Sequence, residues 1–170
     1  MPVGSAANSG SFKVLTPSDR EITLTRLFDA PPHLIFDAMT KPEHVTRWWG
    51  QLGEGYPFLK CEIDLRPGGA WHWITKTPDG GECGFHGVYQ EVVAPEHLVY
   101  TEIFDPFPDG VSTVTQTIKR EGSKSRLTVT ALYPSKEVRD MVLKTGMEHG
   151  AALSYDRLED RVKELQAAEI

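Results

Sequence analysis

The sequence predicts an α+β fold: a curved antiparallel sheet of six or seven strands wrapped on a long C-terminal helix, with two short helices after the first strand. Three observations predict it. Apolar and polar residues alternate with period two in short runs between Glu21 and Leu132. The connections between most of these runs are too short for parallel crossovers. From Ser135 onward the spacing turns helical. The 170 residues suit one domain, large enough to bury a core without disulfides or a structural metal.

Met1 to about Lys13 is rich in Gly, Ser and Ala, with almost no apolar periodicity, and is expected to form a disordered arm. The folded domain is expected over residues 20–168. Glu21 to Leu27 alternates and reads as a half-buried strand, with Ile22, Leu24 and either Leu27 or Phe28 facing inward. Pro31-Pro32 opens a first short helix with Ile35, Phe36 and Met39 on its apolar side, because a first turn tolerates proline. Thr40-Lys41-Pro42-Glu43 matches a capping box. It predicts a second short helix carrying Val45, Trp48 and Trp49 and stopping at Gly50.

Further strands are expected at Phe58–Leu65, Ala70–Lys76, Cys83–Val93, Leu98–Phe104, Ser112–Lys119 and Arg126–Leu132. Turn chemistry separates them at Pro67-Gly68-Gly69, Pro78-Asp79-Gly80-Gly81, Pro95-Glu96, Pro106 to Gly110 and Gly122-Ser123. Ser135 is a good N-cap for the last helix, which runs to about Ala168 with Val138, Met141, Val142, Tyr155, Leu158, Val162 and Leu165 on its apolar side. Gly146 and Gly150 lie inside it. Either the helix breaks near Gly146, or something gains from the missing side chains.

Composition bounds the function. With 18 basic against 24 acidic residues, the net charge of −6 argues against a general phosphate-backbone binder, so no nucleic-acid partner is expected. No apolar run approaches the roughly 18 residues that cross a bilayer, and no secretory leader is legible, so the expected compartment is the cytoplasm, without membrane insertion.

Several phrases in order carry a resemblance: Ala30-Pro31, Thr40-Lys41-Pro42-Glu43-His44 leading to Arg47-Trp48-Trp49-Gly50, Asp64-Leu65-Arg66-Pro67-Gly68-Gly69, Gly87-Val88-Tyr89, Pro95-Glu96-His97-Leu98-Val99-Tyr100-Thr101 and Ser154-Tyr155-Asp156-Arg157-Leu158. Together they resemble the domain named after activators of the Hsp90 ATPase, within the START-like superfamily of helix-grip folds, from about Glu21 to Leu165. The resemblance implies a grip of sheet on helix that encloses an apolar or aromatic small molecule. Family members often carry Gly-Trp where this chain has Gly150-Ala151, and Leu where it has Tyr155, which implies a larger and more polar cavity here. The eponymous co-chaperones carry a separate N-terminal domain for which these residues leave no room, so the family name supports chaperone binding only weakly.

In a grip fold the cavity wall and the core overlap, so aromatic packing and ligand contact involve the same residues. The expected lining is Trp48, Trp49, Trp71, Trp73, Phe85, Tyr89, Tyr100, Met147, His149, Ala151 and Tyr155. His149, near the small residues Gly146, Gly150 and Ala151, is either a surface or capping residue or a polar anchor in the cavity. Ser154 and Asp156 make no triad with it, and no Gly-x-Ser-x-Gly is present. No catalytic set is therefore legible.

His72 and His86 lie on strands joined by the Pro78–Gly81 turn, and only an even sum of opposed positions puts them on one face. With Cys83 or Cys61 nearby they match no metal signature and read as ordinary sheet residues, so neither metal nor cofactor is expected. Asp64 and Arg66 read as solvated charge, with Glu148 as a further candidate partner for Arg66. The mixed charges of the last helix, Asp156 and Glu159 among them, read as a solvated face.

The leading expectation is a small protein that binds an apolar or aromatic molecule in an internal cavity without catalysis of its own. Two alternatives stand beside it: a cyclase-, aromatase- or hydratase-type enzyme using cavity polar groups such as His149 and Tyr155, and an interaction module that is chaperone-linked or forms a homodimer.

Overall fold

The computed structural model describes residues 8–49 and 57–169. Its strands are β1 (Lys13–Leu15), β2 (Glu21–Phe28), β3 (Phe58–Ile63), β4 (Ala70–Lys76), β5 (Glu82–Val93), β6 (His97–Phe104), β7 (Phe107–Glu121) and β8 (Lys124–Leu132). All pair antiparallel in one sheet ordered β1-β2-β8-β7-β6-β5-β4-β3. From β3 to β8 the chain meanders through successive hairpins. β2 instead closes on β8, so the link from β2 to β3 must cross the width of the sheet. It carries α1 (Pro32–Thr40) and α2 (Pro42–Trp48) across one end. After β8 come α3 (Lys136–Lys144) and α4 (Met147–Ala168).

On β2, Ile22, Leu24, Arg26 and Phe28 share the inner face. Phe28, not Leu27, enters the core with Ile35, Trp48, Leu127, Leu158 and Val162. The core fills the end of the molecule beneath α1 and α2. Trp48 fixes that corner by donating its indole N–H to the Ala38 carbonyl at 2.8 Å.

Several expectations are corrected. The eighth strand, β1, forms just beyond the segment expected as a loose arm, where no element was expected, and the latter part of that arm is tethered to α4. Asn8 Nδ2 donates to Glu159 Oε2 at 3.0 Å, Ser9 Oγ donates to Asp156 Oδ1 at 2.9 Å, and Phe12 meets the edge of Tyr155 at 5.8 Å. These anchors are mostly polar, so apolar periodicity could not reveal them. Residues 1–7 of that expected arm, and the helix stop expected at Gly50, lie outside the described residues.

The capping box is not formed: Thr40 closes α1 by donating to the Phe36 carbonyl at 2.7 Å, and Lys41 precedes α2 in extended conformation without a side-chain cap. Alternation puts Leu59 on one face with Cys61 and Ile63, but a bulge between the Phe58–Thr75 and Lys60–Ile74 pairs leaves Leu59 exposed and brings Phe58 to the inner face beside Cys61. Arg66 pairs with Asp64 at 3.0 Å and not with Glu148. The last helix breaks at Gly146, whose φ of 80° lies in the left-handed region and starts α4 in a new direction. Ser135 caps α3 as expected, accepting from the Val138 N–H at 3.2 Å.

Candidate ligand cavity

Between the inner face of the sheet and helices α2, α3 and α4 lies a cavity of about 950 Å³. Its broadest wall is aromatic. Alternation puts Trp71 and Trp73 on the inner face of β4, Phe85 and Tyr89 on that of β5, and Tyr100 and Phe104 on that of β6. Their rings meet in sequence. Trp49 touches the edges of Trp73 at 5.2 Å and Phe85 at 5.5 Å; Trp71 meets Trp73 at 5.2 Å and Tyr100 at 5.7 Å; Tyr100 meets Tyr89 at 5.9 Å. Edge-on contacts of this kind suit the ring quadrupoles and hold the wall in one arrangement. Trp71 is pinned further by donating to the Thr101 carbonyl at 3.2 Å.

Helices form the opposite side. Val138, Met141 and Val142 come from α3, and Met147, Gly150, Ala151, Ser154 and Tyr155 from α4. A Cβ placed on Gly150 would meet nothing within 4 Å. The two small residues Gly150 and Ala151 therefore leave volume open where bulkier side chains would occupy it.

Polar groups converge on one region of this apolar space. Glu102 and Ser112 are direct partners across β6 and β7, and Gln116 follows on the same face of β7. Protein surrounds Glu102, leaving its surface toward the cavity, and the resulting desolvation raises its carboxyl pKa to about 7. Tyr100, Tyr133 and Tyr155 lie close enough to feel its charge. Burial first, and then Glu102, pushes each of these phenols above its ordinary range. Cys61 is likewise raised by burial, to about 11, and Cys83 by burial and then by Asp105, so both thiols stay protonated at neutral pH.

The structure brings Trp48, Trp49, Trp71, Trp73, Phe85, Tyr89, Tyr100, Met147, Ala151 and Tyr155 to the cavity. His149 is the exception. The turn at Gly146 sets the phase of α4 so that His149, in its first turn, is exposed and does not line the cavity. The reading that used His149 as an anchor or base inside the cavity is thereby corrected. Glu102, Ser112, Gln116 and Tyr133 are lining residues that sequence reasoning missed. Their signal was present in the alternation: Glu102 shares a strand face with Leu98, Tyr100 and Phe104, an isolated acid in an otherwise apolar row.

A meander that wraps around a C-terminal helix and encloses such a cavity defines the START-like class of helix-grip proteins. The chain belongs to the family described as Activator of Hsp90 ATPase homolog 1-like protein, which it matches over residues 29–163. Among solved structures, a protein from Rhodobacter sphaeroides is similar with a TM-score of 0.82 at 22% identity, covering 91% of this chain and 99% of that one. A Mycobacterium smegmatis protein gives 0.76 at 26% identity, covering 87% and 94%. A Plasmodium falciparum protein described as an HSP90 activator gives 0.52 at 22% identity, covering 66% and 72%. No curated protein matches the chain. Among the described residues no helix is long and apolar enough to cross a membrane.

Proposed function

We propose that this protein binds an apolar or aromatic small molecule in the cavity. The observation that carries the reading is the aromatic wall facing a space of about 950 Å³, with a few polar groups gathered at Glu102. Apolar walls supply the free energy of transfer from water, while a small polar cluster fixes orientation. The fitting ligand is a flat or aliphatic molecule with one hydroxyl or carbonyl group, which the Glu102 carboxyl in its protonated form and the tyrosine hydroxyls would hydrogen-bond. All four tryptophans line the cavity, so their fluorescence reports its occupancy. Titration with a panel of long-chain alcohols and polycyclic phenols should give saturable quenching at one molecule per chain. Absence of saturable change across the panel would count against the proposal.

One observation favours a second reading, acid–base chemistry on the bound molecule. A carboxyl with a pKa of about 7 is populated in both protonation states at neutral pH and can exchange a proton with an enolisable ketone. An aromatic ketone incubated with the protein in deuterated water should exchange its α-hydrogens faster than in buffer, and Glu102→Gln should abolish the gain. Exchange no faster than in buffer leaves binding as the function.

A further inference from the structure

On the outer face of the sheet, away from the cavity, three side chains from three strands or turns converge. His72 on β4 and His86 on β5 are direct register partners, their rings 5.5 Å apart. Asp105, in the turn between β6 and β7, reaches over both. Its Oδ2 lies 2.9 Å from His72 Nε2 and its Oδ1 lies 2.6 Å from His86 Nδ1. One ligand atom from each of the three falls within 4.8 Å of the others.

The backbone is shaped for this reach. Asp105 is fastened to β5 by its own N–H, which donates to the Gly84 carbonyl at 2.9 Å. A Cβ on Gly84 would stand 2.2 Å from Asp105 Oδ2, so only glycine leaves the carboxylate room at that position.

We propose that His72, His86 and Asp105 form a binding site for a first-row divalent cation of the zinc type. Two imidazoles and one carboxylate form a borderline donor set suited to Zn²⁺, Co²⁺ or Ni²⁺, whereas Mg²⁺ and Ca²⁺ favour all-oxygen shells. Zinc holds such nitrogen and oxygen ligands at about 2.0–2.2 Å, so adjacent ligand atoms in a tetrahedral shell stand roughly 3.3 Å apart. Small side-chain rotations open the present hydrogen-bonded contacts to that spacing. Three protein ligands leave a fourth position for water. Glu62, directly across from His72 on β3, lies on the same face, paired with Lys60 at 3.5 Å.

The site has a structural consequence. Asp105 is flanked by Phe104 and Pro106, which line the cavity, so the cation would tie that part of the cavity wall to β4 and β5. The proposal does not rest on the cavity reading. It concerns the opposite face of the sheet and is tested with metal alone.

The test is titration of the tag-free chain with Co²⁺ and Zn²⁺, followed by visible absorption and calorimetry. One equivalent should bind, and Mg²⁺ and Ca²⁺ should not compete. His86→Ala and Asp105→Asn should each weaken binding by at least roughly tenfold. Gly84→Ala, which displaces the carboxylate without removing a ligand, should weaken it as well. The double variant Cys61→Ser, Cys83→Ser should bind as the wild type does, which excludes the thiols as the ligands. In the unaltered chain, nitrogen-detected NMR should show zinc moving the ring signals of two of the six histidines, a readout independent of whether any variant folds. Absence of binding at millimolar metal, or an affinity indifferent to His86→Ala and Asp105→Asn, would overturn the proposal and leave a hydrogen-bonded His–Asp–His cluster.

Discussion

Arg26 enters the inner face of β2 fully buried, with its guanidinium over the ring of Phe28 at 5.1 Å. Asp156 meets it at 2.8 Å and Glu159 at 2.9 Å, and Glu159 also accepts from the Asp29 N–H at 3.1 Å. The charges expected to be a solvated face of the last helix thus supply the partners of a buried cation. Removing Glu159 leaves the buried Arg26 with only the partly exposed Asp156 as its carboxylate partner and takes the acceptor from the Asp29 N–H, so Glu159→Ala should cost about 2–4 kcal/mol in urea unfolding, less than a fully stranded charge would. An exposed control, Glu164→Ala, should cost less than about 0.5 kcal/mol. Glu102 gives a prediction in pH. Its folded pKa of about 7 exceeds the ordinary glutamate value of 4.5, so between these limits the folded chain holds more protons than the unfolded one. Stability from this group is therefore fully present below about pH 4.5 and is lost as pH rises to about 7. The loss should be roughly 1–3 kcal/mol, discounted for the water a cavity admits. Glu102→Gln should remove this component of the pH dependence, as measured by unfolding midpoints across the range.

At the scale of elements, Gly146 decides how the C-terminal helical region is used. Its left-handed conformation lets α3 and α4 approach the cavity from separate directions, and both contribute lining residues. Gly146→Ala should cost about 1–2 kcal/mol, read as a lower urea midpoint, because an L side chain is strained at that φ. Strands were legible because period two survives in the sequence wherever one face is buried. The aromatic wall followed from that pattern, Trp71 and Trp73 on one strand and Phe85 and Tyr89 on the next. The bulge at Leu59 was not legible, since one extra residue shifts the faces without changing composition. β1 was hidden because three residues, Lys13–Leu15, are too few to show a period, and the preceding turn is held to α4 by polar contacts of Asn8 and Ser9 that leave no apolar signal. The phase of α4 depended on whether the helix broke at Gly146, and with the break His149 left the cavity while Ala151 and Tyr155 stayed in it.

For the whole molecule, the sheet and its helices form a core at one end and a cavity beside it. The resemblance of many short phrases identified the grip fold, but chemistry inside the grip depends on which inward positions are polar, and a lone acid in a strand reads like surface until the strand is placed. Glu102 is the clearest instance. Under the proposed function, a small apolar molecule sits in the space left by Gly150 and Ala151. The most direct measurement is titration with an environment-sensitive anilinonaphthalene dye, comparing the wild type with Ala151→Trp, which would put an indole into that space. One dye should bind saturably per wild-type chain, with affinity lower by about tenfold or more in the variant, equivalent to about 1.4 kcal/mol. Equal affinity in both proteins of matched stability, or no saturable binding in the wild type, would contradict it.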